Sequence, residues 1–215
     1  MKRVSAILLA AGESCRMGEV NKLTLPVRGV PLLRHMVCTL LESELHEIVV
    51  VTGHQPETAR ALLQGLAVSL VDNHRYREGQ MTSVYCGMQA LREPCAGVMV
   101  CLSDQPLLSG GDINRLIHTF LEQCPTSVLV PVYRGRRGNP IVLAHAHREA
   151  ILAGERNLGC RRLIEKNPDL ATPFEWDNDH VVFDLDTPSD YQRLVHRLAP
   201  DELAATETCV VSNEG

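Results

Sequence analysis

Hydrophobic positions along the chain fall into two alternating kinds of segment. Short, nearly unbroken apolar runs occupy residues 4–9, 47–52, 67–71, 97–101 and 127–132. Runs of that length, rich in Val, Ile and Leu, predict strands covered on both faces, as in a parallel sheet. Amphipathic stretches at 32–43, 56–64, 82–91, 112–122, 146–152, 159–166 and 188–197 predict helices. Thr82 and Asp112 read as helix caps, and Pro188 fits a first helical turn after Thr187. Strands alternating with helices imply right-handed crossovers and an α/β fold: a three-layer α/β/α sandwich around a Rossmann-like, mostly parallel sheet. Residues 133–183 depart from this rhythm. Gly135, Gly138 and Pro140 predict a loop before a short strand at 141–143, followed by two helices and strands at 172–176 and 181–183.

With 215 residues the chain suits a single domain over 1–200, divided into halves of about 1–110 and about 111–200 where the alternation changes. The polar stretch 201–215 lacks helical periodicity and reads as a flexible tail. A net charge of −5 without a basic block excludes a nucleic-acid partner. No segment approaches the roughly 20 apolar residues of a membrane span, and the run at 4–11 is too short and too directly followed by a polar loop for a signal peptide. Eight cysteines form no Cys-x-x-Cys pair, so they are expected to be reduced thiols of a cytoplasmic protein.

Candidate chemistry begins where the first strand ends. Leu9, Ala10, Ala11 and Gly12 lead into Glu13-Ser14-Cys15-Arg16-Met17-Gly18, and Lys22 follows four positions later. Small residues admit backbone N–H groups to an anion, Arg16 offers a planar fork of donors, and Lys22 a compact point charge. These features point to triphosphate oxygens, yet the glycine spacing is neither that of a Walker loop nor that of a dinucleotide fingerprint.

Carboxylates supply the second half of the site. Asp104 stands at the end of an apolar strand just before Pro106, a metal-ligand position. Asp184 and Asp186 are two apart on an extended segment, so they project to one side. Asp186 is the preferred second ligand, with Asp184 as the alternative. Nucleotidyl transfer needs charge on the α-phosphate and on the departing pyrophosphate neutralised, and hard divalent ions held by two or three carboxylates do this. Mg²⁺ is the expected ion, with Mn²⁺ as a substitute.

Taken together, the loop, Asp104-Gln105-Pro106, Gly79-Gln80-Met81-Thr82-Ser83 and Asp184-Leu185-Asp186-Thr187-Pro188 resemble the family that transfers nucleotides onto the molybdenum cofactor. Sugar-phosphate nucleotidyltransferases are more distant relatives, which implies the nucleotide-diphospho-sugar transferase type of sheet. The resemblance spans about residues 4–198. It implies that Leu9, Ala10, Ala11, Gly12, Ser14, Arg16 and Lys22 wrap the nucleotide, that Thr52 and Asn73 flank its base and sugar, and that Ser83 contacts it from a helix start. It also implies catalysis by Arg16, Lys22 and Asp104, with metal held by Asp104 and by Asp186 or Asp184. Members with Ala-Ala-Gly, as at Ala10-Ala11-Gly12, take CTP, whereas Ala-Gly-Gly goes with GTP. The implied partners are CTP, a molybdopterin-type acceptor whose phosphate receives the nucleotide, and a molybdenum hydroxylase as recipient of the product. Asn139, where His is common in the family, leaves the acceptor open, and Arg136 and Arg137 are candidates for its phosphate. GTP use, another phosphorylated acceptor, or a non-catalytic cofactor carrier are the alternatives.

Overall fold

The computed structural model describes residues 3–18, 20–92, 94–153 and 168–198. Its strands are β1 (Val4–Ala10), β2 (Pro26–Val27), β3 (Val30–Pro31), β4 (Ile48–Thr52), β5 (Ser69–Asp72), β6 (Gly97–Leu102), β7 (Val128–Tyr133), β8 (Arg136–Arg137), β9 (Ile141–Ala144) and β10 (Ala171–Glu175). Its helices are α1 (Leu32–Leu41), α2 (Pro56–Leu62), α3 (Gln80–Ala90), α4 (Gly110–Gln123), α5 (His147–Leu152) and α6 (Pro188–Arg197). The helix expected at 159–166 and the tail at 201–215 lie outside the described residues.

All seven residues of β1 are buried, because the strand sits mid-sheet with helices on both faces. The sheet order is β10-β7-β9-β6-β1-β4-β5, with β8 added on β7. β1 pairs in parallel with β4 and β6, β4 with β5, and β7 with β10. β9 runs antiparallel to both β6 and β7. The mostly parallel three-layer expectation holds, and β9 is the departure that the loop at 134–140 produces.

Alternation along β1 divides the core. Val4, Ala6, Leu8 and Ala10 face Leu32, Met36 and Leu40 of α1, Ile113, Leu116 and Phe120 of α4, and Leu194 of α6. Ile7 and Leu9 face the opposite way, onto Val84 and Met88 of α3 and Ile151 of α5.

Three local expectations are corrected. Residues 180–182 form a 3-10 turn where a strand was expected, since the Val181 carbonyl accepts from the Asn139 amide (2.8 Å) and the Val182 amide bonds Asp179 O (3.1 Å). Asp112 is the third residue of α4, where it closes a reciprocal capping box with the true cap, Ser109. Thr82 likewise sits inside α3, which begins after Gly79. Thr187 caps α6 with Pro188 in its first turn, as the sequence predicts.

Candidate active site

The carboxyl ends of β1, β4, β5 and β6 open on one edge of the sheet, so the loops that follow them meet there. The loop after β1 is set by anchors. Met17 and Leu23 bury their side chains in the core, while Gly18 (φ 69°) takes a backbone turn that suits glycine. Ser14 adopts a left-handed φ of 55°, uncommon for a residue with a side chain, and its buried Oγ has no partner. Asn21 Oδ1 accepts from the Leu23 amide (3.0 Å) and starts the short turn that carries Lys22. Arg16 and Lys22 each therefore stand next to one buried anchor, Met17 and Leu23 respectively.

Lys22 Nζ donates to Asp104 Oδ2 (2.6 Å) and to Asp186 Oδ1 (3.2 Å), and Arg16 Nη1 lies 2.8 Å from Asp186 Oδ2. Burial opposes the Lys22 charge, but Asp104 and then Asp186 outweigh it and hold its pKa above the usual lysine value. Asp104 reaches this point from the end of β6, and its carbonyl accepts the Leu185 amide (2.7 Å), which docks the late acidic segment onto the early one. Asp184 is the acid with the perturbed carboxyl: burial first, then the nearby Asp104, push its pKa up to about 6, although Gln105 Nε2 donates to it (3.0 Å). The structure thus brings Arg16, Lys22, Asp104, Asp184 and Asp186 together from three separated stretches.

Two clefts meet over Arg16, Lys22, Asp104 and Asp186, and Asp184 lies behind them, lining neither. One, of about 390 Å³, is lined by Gly12, Ser14, Arg16, Lys22, Arg77 and Asp186. Its neighbour, of about 250 Å³, is lined by Leu9, Ala11, Gln80, Ser83, Ser103 and Asp104. Gly12, Lys22 and Tyr76 border both. A larger hollow of about 670 Å³ beside Asn73, Thr82 and Tyr85 contains none of the site's cations and only Asp72 and Glu78 among acids. The charged chemistry lies in the smaller pair.

Thr52 and Asn73 stand apart from these clefts, committed to the scaffold. Thr52, wholly buried, donates its hydroxyl to Asp72, which is also paired with Arg60. Hydrogen bonding from Thr52 is the main reason the Asp72 pKa is lowered. Asn73 Nδ2 donates to Thr82 Oγ1 (2.8 Å) and Ser83 Oγ (2.9 Å), and its Oδ1 accepts from the Arg75 amide (2.9 Å). Its side chain clasps the loop that leads into α3 and places Ser83 at the cleft. Ala10 is buried beneath the loop, under Ala11 and Gly12.

Tyr76, Arg77, Gln80 and Ser103 also line the clefts, which sequence reasoning did not anticipate. An aromatic at position 76 inside a polar loop was the available signal. Arg77 lies over the Tyr76 ring, 5.5 Å from its centre, and Arg77 Nε donates to Glu13 (2.8 Å), tying this loop to the one after β1. Gly53 marks how tightly the loops pack, since a Cβ there would fall 2.8 Å from both Ala11 Cβ and Tyr76 Cβ.

Among the described residues no group of three His, Cys, Asp or Glu side chains is arranged to hold a metal ion. The six described cysteines are free thiols. No helix among the described residues is long and apolar enough to cross a membrane.

Residues 6–171 match the family described as "MobA-like NTP transferase domain". The chain belongs to that family. MobA-like chains resembling it include one named "Nicotine blue oxidoreductase" from Paenarthrobacter nicotinovorans, 28% identical over 200 residues, with 89% of this chain and 96% of the relative covered. Another is a "Probable molybdenum cofactor guanylyltransferase" from Natronomonas pharaonis, 26% identical over 215 residues and covering 91% and 98%. Rv0371c from Mycobacterium tuberculosis has the same fold: TM-score 0.78 at 22% identity, over 90% of this chain and 98% of that one. That mycobacterial protein has also been solved in complex with manganese. The chain is accordingly a nucleotidyltransferase-fold member of the MobA-like family, with relatives bearing two different functional names.

Proposed function

We propose that this MobA-like protein is a cytoplasmic molybdenum cofactor cytidylyltransferase, which moves CMP from CTP to the phosphate of molybdopterin and releases pyrophosphate. The observation that carries the reading is the convergence of Arg16 and Lys22 with Asp104 and Asp186 at two adjoining clefts, one of them bordered by Ala11. The acceptor phosphate oxygen attacks the α-phosphorus in line, the bond to the β-phosphate oxygen breaks, and pyrophosphate leaves, so no protein nucleophile is needed. Arg16 and Lys22 bind the triphosphate and stabilise the charge growing on the leaving group. Residues of the half 1–110 hold the nucleotide, and the acceptor half 111–200 brings the second substrate.

The acidic side of the site fits a divalent cation. Asp104 Oδ1 is buried without a partner, and Asp184 carries a raised pKa in the shadow of its acidic neighbours. Three carboxylates face two cations, so a triphosphate entering this cleft adds anions to an anionic excess. Mg²⁺, or Mn²⁺ in its place, neutralises α-phosphate and pyrophosphate charge when bound. Asp104 and Asp184 would hold it, whereas Asp186 is occupied in bracing Arg16 and Lys22.

The choice of CTP rests on Ala11, whose methyl group lines the smaller cleft and narrows it beside the base. The molybdopterin acceptor rests on the MobA-like family and on the Natronomonas relative. Incubation of the protein with molybdopterin and CTP, GTP, ATP or UTP, with product masses and pyrophosphate measured, tests the reading. A cytidylylated pterin is expected. A guanylylated product would reassign the base, and redox turnover without pyrophosphate would place the protein with the activity in the Paenarthrobacter relative's name.

A further inference from the structure

We infer that Gln105 is a positioning residue, whose amide joins the two acid-bearing loops and fixes the Asp184 carboxylate against Asp104. The inference rests on the reading of those two acids as the cation-holding pair. Gln105 has no exposed surface. Both N–H bonds of its amide are spent across the loops, one on Val181 O (3.1 Å) and one on Asp184 Oδ1 (3.0 Å).

Space filling does not explain this side chain. Its Oε1 is buried with no partner, and an unmet buried acceptor costs free energy that an apolar side chain of equal volume would avoid. Nor is Gln105 required to hold the turn at 180–182, because Val181 O already accepts the Asn139 amide (2.8 Å). The Leu185 amide bonds Asp104 O (2.7 Å), so the backbones of the two loops are docked without help from position 105. What Gln105 alone contributes is orientation of the Asp184 carboxyl. A carboxylate free to rotate in a crowd of acids would turn away from Asp104; one bonded through Oδ1 keeps its other oxygen available. Groups that orient metal-binding carboxylates in this way typically account for 10–100-fold in metal affinity.

The test is a titration of the full chain with Mn²⁺ alone, with no nucleotide, in which free Mn²⁺ is read by its electron paramagnetic resonance signal. Gln105→Met keeps the volume and deletes the amide, and Val181 O retains its Asn139 partner, so the variant is expected to fold. Its Mn²⁺ affinity should drop by about 10-fold or more, and kcat should fall while KM for the nucleotide stays unchanged. Gln105→Leu makes the same deletion should the Met side chain unseat the loop. In an Asp184→Asn background, Gln105→Met should cost no further Mn²⁺ affinity, because the carboxylate it orients is already gone. A folded Met or Leu variant that binds Mn²⁺ as the parent does overturns the role of Gln105 while leaving the cation pair standing. Parental Mn²⁺ binding by both Asp104→Asn and Asp184→Asn overturns the cation pair, and this role with it.

Discussion

Lys22 Nζ stands 2.6 Å from Asp104 Oδ2, although the two residues are 82 positions apart in sequence and their side chains are only 14% and 17% exposed. The short contact joins the loop after β1 to the end of β6 and uses one oxygen of Asp104, leaving the other buried and unpaired. An ion pair so arranged serves a ligand better than it serves the fold, because partly buried pairs gain little net stability after desolvation.

On the proposed reaction, Asp104→Asn removes a charge that transfer needs, while Lys22 keeps Asp186 as its partner in the fold. Its rate should fall by about 10²-fold or more, the usual cost of one preorganised electrostatic group. Circular dichroism and thermal melting should show a folded protein. Near-parental turnover in that folded variant would take Asp104 out of the chemistry.

Arg16 is 71% exposed and braced by Asp186 alone among the described acids, so it lies open to an incoming triphosphate. Arg16→Lys keeps the charge and loses the planar fork. Weaker nucleotide binding or slower transfer is expected, read as a higher KM or a lower kcat, with the melting temperature unchanged. Kinetics equal to the parent's would reduce Arg16 to a surface charge.

Asp184 gives a pH signature in the metal-free protein. Its pKa is raised to about 6 from the ordinary 3.8, chiefly by burial and then by Asp104. The folded state thus binds a proton more tightly than the unfolded chain does, and between about pH 4 and 6 the native state carries more protons. Stability should accordingly decline as pH rises through that window and level off above it. The full shift corresponds to about 3 kcal/mol, and partial solvent exposure reduces this to roughly 1–2 kcal/mol. Asp184→Asn should melt higher than the parent at pH 8 in EDTA and lose the decline. A parent with flat stability from pH 4 to 8 would contradict the burial of this carboxyl.

The sequence made the charged half of the site legible and the apolar half less so. Arg16, Lys22, Asp104, Asp184 and Asp186 are ionic residues in loops that follow apolar runs, where charge has few structural uses. Their meeting follows from parallel topology. Thr52 and Asn73 look equally exposed in sequence, yet their polar atoms are consumed by Asp72 and by the start of α3, partners that no spacing rule reveals. Tyr76 and Gln80 escaped notice because a loop's apolar wall is defined by what packs across from it. Residues 181–183 misled for a related reason: Val-Val-Phe is apolar because it plugs the core, and the one carbonyl of Val181 accepts from both Gln105 and Asn139 in place of a neighbouring strand. Asp112 misled by one turn of helix, since Ser109 three residues earlier makes the better cap.

Ala11 carries the prediction for base choice. Its side chain is almost fully buried, at 6% exposure, yet it lines the smaller cleft and lies close to the backbone at Gly53. A Cβ at Gly53 would stand 2.8 Å from the Ala11 methyl, so the loop after β4 approaches that methyl as closely as a glycine allows. Ala11→Gly deletes the methyl and widens the cleft without disturbing the cations, so GTP use should rise relative to CTP. A single methyl-sized steric difference is worth roughly 1–3 kcal/mol, so a shift of about 10-fold is expected and a complete switch is not. Gly53→Ala is the converse perturbation, pushing on Ala11 and Tyr76 together, and should depress use of both nucleotides. The measurement is the ratio of kcat/KM for CTP to that for GTP in the parent and in Ala11→Gly. An unchanged ratio would mean that the methyl does not read the base, and the cytidylyl assignment would lose the residue on which it rests.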